Sequence, residues 1–110
     1  MRSLVAVVVA GALLWAAHAA TADARMPKRW QTWVKIGRCE QPGPGKWGIY
    51  WRHPGPTYGG GLGIYQGTWQ AFKPPVKGFP STPGRATWRQ QMWVANRIYA
   101  RYGTSAWGCG

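Results

Sequence analysis

Beyond the first two dozen residues, four side chains carry the conventional catalytic chemistry open to this chain: Cys39, Glu40, His53 and Cys109. The sequence holds two acidic residues and two histidines in all, and the remaining acid and histidine, Asp23 and His18, fall in an N-terminal stretch that reads as an export signal. One carboxylate and one imidazole cannot build a Ser-His-Asp triad. A Cys-His nucleophile needs a free thiol, whereas an even pair of cysteines in an exported chain argues for a bond between Cys39 and Cys109. The spacing of Cys39, Glu40, His53 and Cys109 lacks the paired pattern of zinc sites, so no metal is implied. No glycine-rich loop ends in the Lys-Ser or Lys-Thr of a phosphate cradle, which leaves nucleotide chemistry unsupported. The acid that remains for catalysis is Glu40. The competing reading makes it a structural partner for a nearby cation.

A lone acid narrows the reaction. Retaining and inverting glycosidases use two carboxylates, and both schemes are closed here. One glutamate suffices when the substrate supplies the rest: an N-acetyl group stabilises the developing sugar cation, and an internal hydroxyl replaces water. The glutamate gives a proton and then takes one back, which is the logic of a lytic transglycosylase. That chemistry requires no cofactor.

The export signal rests on the order of its parts. Arg2 precedes an apolar run from Leu4 to Ala17, and small residues follow as Ala17-His18-Ala19 and Ala22-Asp23-Ala24. Residues 1–24 therefore read as a signal peptide cleaved after Ala24, with Ala19 as the alternative. The run is short for a membrane span, so no stable membrane anchor is expected; an uncleaved anchor or a buried core helix is the competing reading. Residues 25–110 leave room for one domain with a marginal core. A disulfide closing so long a loop stabilises that domain by about 4 kcal/mol on the chain-entropy estimate.

Loss of Arg2 and Asp23 removes one charge of each sign, so the formal net charge stays at +12. Such a surface attracts polyanions. For an exported protein the nearest are the cell wall and its anionic polymers, although nucleic acid and anionic lipid meet the same electrostatics. Charge alone names no partner. The reading adopted is a secreted or wall-associated monomer without a specific nucleic-acid partner.

Several elements are expected to position Glu40. Residues 25–31 are basic and unpatterned and read as a loose leader, ahead of a domain over 32–110. A first helix begins with Thr32 as its cap and carries Trp33, Ile36, Gly37 and Glu40 on one face. Gln41-Pro42-Gly43-Pro44-Gly45 ends it. Trp47, Ile49 and Trp51 alternate ahead of His53-Pro54-Gly55-Pro56 and Tyr58-Gly59-Gly60-Gly61, a pattern for a small hairpin or extended lobe. Trp47 and Trp51, set among glycines and prolines, are candidates for a sugar-stacking surface, with core packing as the alternative. The bare backbone of Gly59-Gly60-Gly61 admits a substrate closely or serves as a flexible turn.

A short helix over Gln66–Phe72 turns Trp69 and Phe72 inward and stops at Pro74-Pro75. Helical spacing gives Trp33, Trp69 and Trp88 to the core. An ordered loop follows over Val76–Ala86. Thr87 and Gln90 have capping-box spacing and open the longest helix, with Trp88, Met92, Ala95 and Tyr99 on one face and Val94, Ile98 and Tyr102 on the next. Gly103 stops it. The fold class is α+β, mainly α: a small compact domain with a short hairpin or loop lobe and one disulfide.

These residues resemble, in order, the catalytic domain of the resuscitation-promoting factors. The resemblance runs through Trp33-Val34-Lys35-Ile36-Gly37-Arg38-Cys39-Glu40, Trp47, Tyr58-Gly59-Gly60-Gly61-Leu62 and Gln66-Gly67-Thr68-Trp69-Gln70-Ala71-Phe72. It continues through the helix from Thr87 to Tyr99 and the ending Ser105-Ala106-Trp107-Gly108-Cys109, and so covers about Trp33 to Gly110. It implies a lysozyme-like fold related to lytic transglycosylases that act on the glycan strands of peptidoglycan. It also implies that Glu40 is the catalytic acid and that Cys39 pairs with Cys109, in agreement with the reading above. The expected substrate-binding set is Trp47, Trp51, Tyr58, Gly60, Gly61, Gln66 and Trp69. One departure is Gly63, which stands where the family usually has Gln after Gly-Gly-Leu; another is the longer turns after Glu40 and before Tyr58.

Overall fold

The computed structural model describes residues 25–110, and the signal-peptide assignment falls on residues outside them. Three helices form the frame: α1 (Trp30–Glu40), α2 (Gln66–Phe72) and α3 (Trp88–Tyr102). A two-stranded antiparallel sheet, β1 (Tyr58–Gly59) and β2 (Ile64–Tyr65), sits between α1 and α2 in the chain, with Tyr58 opposite Tyr65 and Gly59 opposite Ile64. The domain is mainly α with a small β lobe, as the residue pattern indicates. None of the described helices is long and apolar enough to cross a membrane.

α1 starts two residues earlier than Thr32, which lies exposed inside the helix instead of capping it. Tertiary contacts override the local signal. The Trp30 ring stacks on Trp47 with centroids 5.8 Å apart, and the Arg29 guanidinium lies 4.1 Å over Tyr99. Asn96 donates its side-chain amide to the Lys28 carbonyl at 2.9 Å. Arg89 donates to the carbonyl of Arg25. The basic segment 25–31, expected as a loose leader, is thus docked on α3 and enters α1 directly.

The apolar face of α1 buries Trp33, Val34, Ile36 and Gly37. Trp33 is the hub: its indole N–H donates to Asn96 Oδ1 at 3.1 Å, and its ring meets Tyr99 edge-on and Trp107 at 4.8 Å. Ile49, Leu62, Trp69, Met92, Val94 and Ile98 are among the other residues of the core. Each such fully buried aliphatic side chain contributes about 1.5–3 kcal/mol. Gly37 serves close approach, since a Cβ there would lie 2.8 Å from Ile49 Cδ1 and 3.1 Å from the Gly61 carbonyl oxygen.

α3 opens on the capping box expected at Thr87: Gln90 N–H donates to Thr87 Oγ1 at 3.1 Å, and Thr87 N–H donates to Gln90 Oε1 at 2.9 Å. Gly103, at φ 61°, follows its last turn. α2 spans the expected residues, and Trp69 is inward with its indole bonded to the Pro80 carbonyl at 2.9 Å. Tyr102, expected on the buried face of α3, is half exposed.

The lobe differs from the alternation seen at Trp47, Ile49 and Trp51. The chain doubles back after α1, so that Pro42 bridges Ile49 and Tyr50 N–H donates to the Gln41 carbonyl at 2.8 Å. Trp47 sits in a 3-10 turn over Lys46–Gly48 with left-handed φ 59°, which breaks any strand there. The hairpin lies further on, at β1 and β2, and the glycines form its turn. Gln91, on α3 and fully buried, pins this lobe. Its Oε1 accepts from Gly61 N–H at 2.8 Å, and its Nε2 donates to the carbonyls of Trp51 and Ala86 at 2.9 and 3.0 Å. A buried amide with every bond met fixes the lobe against the helix.

Candidate active site

Glu40 is the last residue of α1 and is half buried. The helix ends there because Gln41 leaves helical geometry, although its N–H still donates to the Gly37 carbonyl. Cys39, one residue earlier, is joined to Cys109 with Cα atoms 6.0 Å apart, across a sequence separation of 70. The bond expected from cysteine arithmetic is therefore present, and it delivers the C-terminal tail to the end of α1. Cys109 N–H then donates to Glu40 Oε1 at 3.0 Å. The partner of the carboxylate is a backbone amide, where one alternative reading has a cation.

Bare backbone flanks the other sides of this group. A Cβ on Gly63 would lie 3.4 Å from Glu40 Oε2, and one on Gly108 would lie 3.7 Å from Oε1. Gly63 has φ 57°, a left-handed conformation that favours glycine, so the turn between β1 and β2 brings its backbone beside the carboxylate. An open cleft of about 380 Å³ follows, lined by Glu40, Gln41, Tyr58, Gly63, Ala106, Trp107 and Gly108. A smaller hollow continues it past Tyr65 and Thr68. Trp107 is held rigidly as a wall, its indole N–H donating to the Leu62 carbonyl at 2.9 Å.

The expected binding residues divide sharply. Tyr58 joins Glu40 in this cleft and is 56% exposed. Trp69 is 0% exposed and Trp51 is 7% exposed, so both are packing residues, and Trp51 bonds the Lys46 carbonyl at 3.0 Å. Trp47 is half buried between Trp30 and Trp88, whose ring meets it edge-on at 4.9 Å, and does not line the cleft. Gly60 and Gly61 are buried, and their lack of a side chain serves the interior: a Cβ on Gly60 would lie 2.4 Å from Gln91 Oε1, and one on Gly61 2.5 Å from Trp51 Cε3. Gln66 is a loop tie that donates to the Ser81 carbonyl at 3.0 Å. His53 accepts from Gly55 N–H at 3.3 Å and packs on Tyr50, away from the Glu40 cleft.

Residue patterns miss Gln41, Ala106, Trp107 and Gly108 as cleft walls. A usable signal exists for the last three, because a Cys39–Cys109 bond must carry the residues just before Cys109 to the end of α1. Nothing in the residue pattern marks Gln91, since a glutamine that follows Arg89 and Gln90 on a helix reads as polar surface.

The cleft thus sets a helix-end glutamate between the small β lobe and the C-terminal tail. Residues 28–110 match the family model of the transglycosylase-like domain, and the chain belongs to that family, the resuscitation-promoting-factor type. It is a family of peptidoglycan-cleaving, lysozyme-like enzymes. No curated protein and no solved structure matches the chain.

Proposed function

We propose that this chain is an exported enzyme that cleaves the glycan strands of peptidoglycan, with Glu40 as both acid and base. The observation that carries the reading is the setting of the one acidic side chain in residues 25–110: Glu40 lies at an open cleft, anchored through Oε1 while Oε2 lies beside the wall residue Gly63. In the first step Glu40 gives its proton to the glycosidic oxygen as the bond from that oxygen to C1 breaks and the electron pair leaves with the oxygen. The substrate's N-acetyl group stabilises the cation at C1. In the second step the Glu40 carboxylate takes the proton from the same sugar's own hydroxyl as that oxygen bonds to C1 and closes a ring. Tyr58 offers its exposed ring to the sugar on one wall, and Trp107 fixes the other.

The absence of a second acidic side chain in residues 25–110 favours ring closure over hydrolysis, because no carboxylate is left to activate water. Mass spectrometry of fragments released from purified peptidoglycan tests this. Anhydro-sugar ends are expected. Reducing ends alone would show a muramidase that recruits another base, and no fragments at all would leave a glycan-binding relative.

A further inference from the structure

A second groove of about 510 Å³ runs between the lobe and the start of α3, walled by Lys46, Tyr50, Trp51, Arg52, Arg85 and Trp88 among others. It shares no residue with the Glu40 cleft. Three of its walls are cationic, and no acidic side chain lines it. The Lys46 ammonium lies 4.6 Å from the Trp47 ring and 5.6 Å from Trp88, while the neighbouring Arg89 guanidinium covers Trp88 at 4.5 Å. Glu40 is the sole acid of residues 25–110 and is engaged elsewhere, so the mutual repulsion of these cations is not offset by a carboxylate of the described chain.

Flat apolar faces stand beside the charges. Tyr50 is exposed and Trp88 half buried, and both line the groove. Cations spaced along an aromatic wall suit a ligand that alternates anionic groups with sugar or polyol units, since rings pack on aromatic faces while guanidinium and ammonium groups take the anions. We propose that this groove binds an anionic polymer whose sugar or polyol units carry phosphate or carboxylate groups, and so holds the protein on a surface while the Glu40 cleft stays free. The choice of a wall-type polymer rests on the function proposed above; binding of the polyanion itself does not.

The full chain is titrated with a poly(glycerol phosphate) oligomer, an oligogalacturonate and a single-stranded DNA oligomer of equal charge, at several salt concentrations. A groove triple variant, K46Q/R52Q/R85Q, is compared with K73Q/K77Q/R101Q, which removes equal charge elsewhere. For at least one of the two polymers the groove variant is expected to lose tenfold or more in affinity and to flatten the log–log salt slope by about 2, at roughly 0.7–0.9 per contact. The control variant should lose less than threefold. Preference for one polymer identifies phosphate or carboxylate as the recognised group. Equal losses in the two triples, or DNA bound as tightly as the better polymer, would overturn the proposal. Should the groove triple melt early, R52Q/R85Q, which spares Lys46, is read in its place against K73Q/R101Q, with the slope then expected to flatten by about 1.5 and the other criteria unchanged. Glu40→Gln should bind the polymer unchanged, so loss of cleavage and loss of docking are separate results.

Discussion

The two ends of α1 are built on opposite principles. At its C-terminal end a single carboxylate is held by one amide of a covalently tethered tail and flanked by bare glycine backbone. At its N-terminal end, about 15 Å away at 1.5 Å per residue over eleven residues, Trp30, Trp47 and Trp88 pack on one another under a canopy of cations. One end is sparse and positioned by few bonds. The other is crowded and positioned by ring packing and cation contacts. The difference implies that substitutions of the cleft residues around Glu40 should strike activity first, those at the tryptophan end stability first, and loss of the Cys39–Cys109 bridge both.

The largest effect should come from Glu40→Gln, which preserves size and hydrogen bonding but cannot donate or recover the proton. Release of fragments from purified peptidoglycan should fall by roughly a hundredfold to ten-thousandfold, with melting temperature nearly unchanged. Undiminished cleavage by this variant removes Glu40 from the mechanism and with it the contrast between the two ends.

Cys109→Ser comes next, because it cuts the tether. A cost of about 2–5 kcal/mol in stability is expected, read by thermal or denaturant unfolding against oxidised wild type. Activity per folded molecule should also drop, since the N–H that holds Oε1 is then carried by a free tail. Equal melting temperatures would show that packing of Trp107 alone positions the tail.

Trp47→Ala tests the crowded end. Full truncation of a buried tryptophan costs about 3–5 kcal/mol, and for this half-buried ring about 2 kcal/mol is expected, with cleavage per folded molecule retained. A loss of glycan affinity larger than the loss of stability would return Trp47 to a sugar-binding surface. The smallest effect is assigned to Gly63→Ala: its left-handed φ costs about 1–2 kcal/mol for any side chain, and the new methyl would narrow the cleft beside Oε2. A several-fold fall in cleavage is expected, measured on the same substrate.

Much of the helical frame is legible in the residues, because its signals are local. The capping box at Thr87 and Gln90, the extent of α2 and the stop at Gly103 are each set by neighbours within a few positions. Glu40 stands out by exclusion, and its tether by counting cysteines. What local signals do not carry is the sorting of the tryptophans. Trp47 and Trp51 look alike from their glycine- and proline-rich setting, yet Trp51 is sealed by the Gly61 backbone and by Gln91, the latter a contact 40 residues away in the chain. The start of α1 is hidden for the same reason, since Tyr99 and Asn96 of α3 decide it.

The bond between Cys39 and Cys109 also links the setting of Glu40 to the redox state of two thiols. The amide that holds Oε1 belongs to a residue of the bridge itself, so the tail is tied at the carboxylate by an oxidation reaction and not by folding alone. While both thiols remain reduced, nothing covalent retains Cys109 beside Glu40, and the hold on Oε1 then rests on the packing of the tail alone.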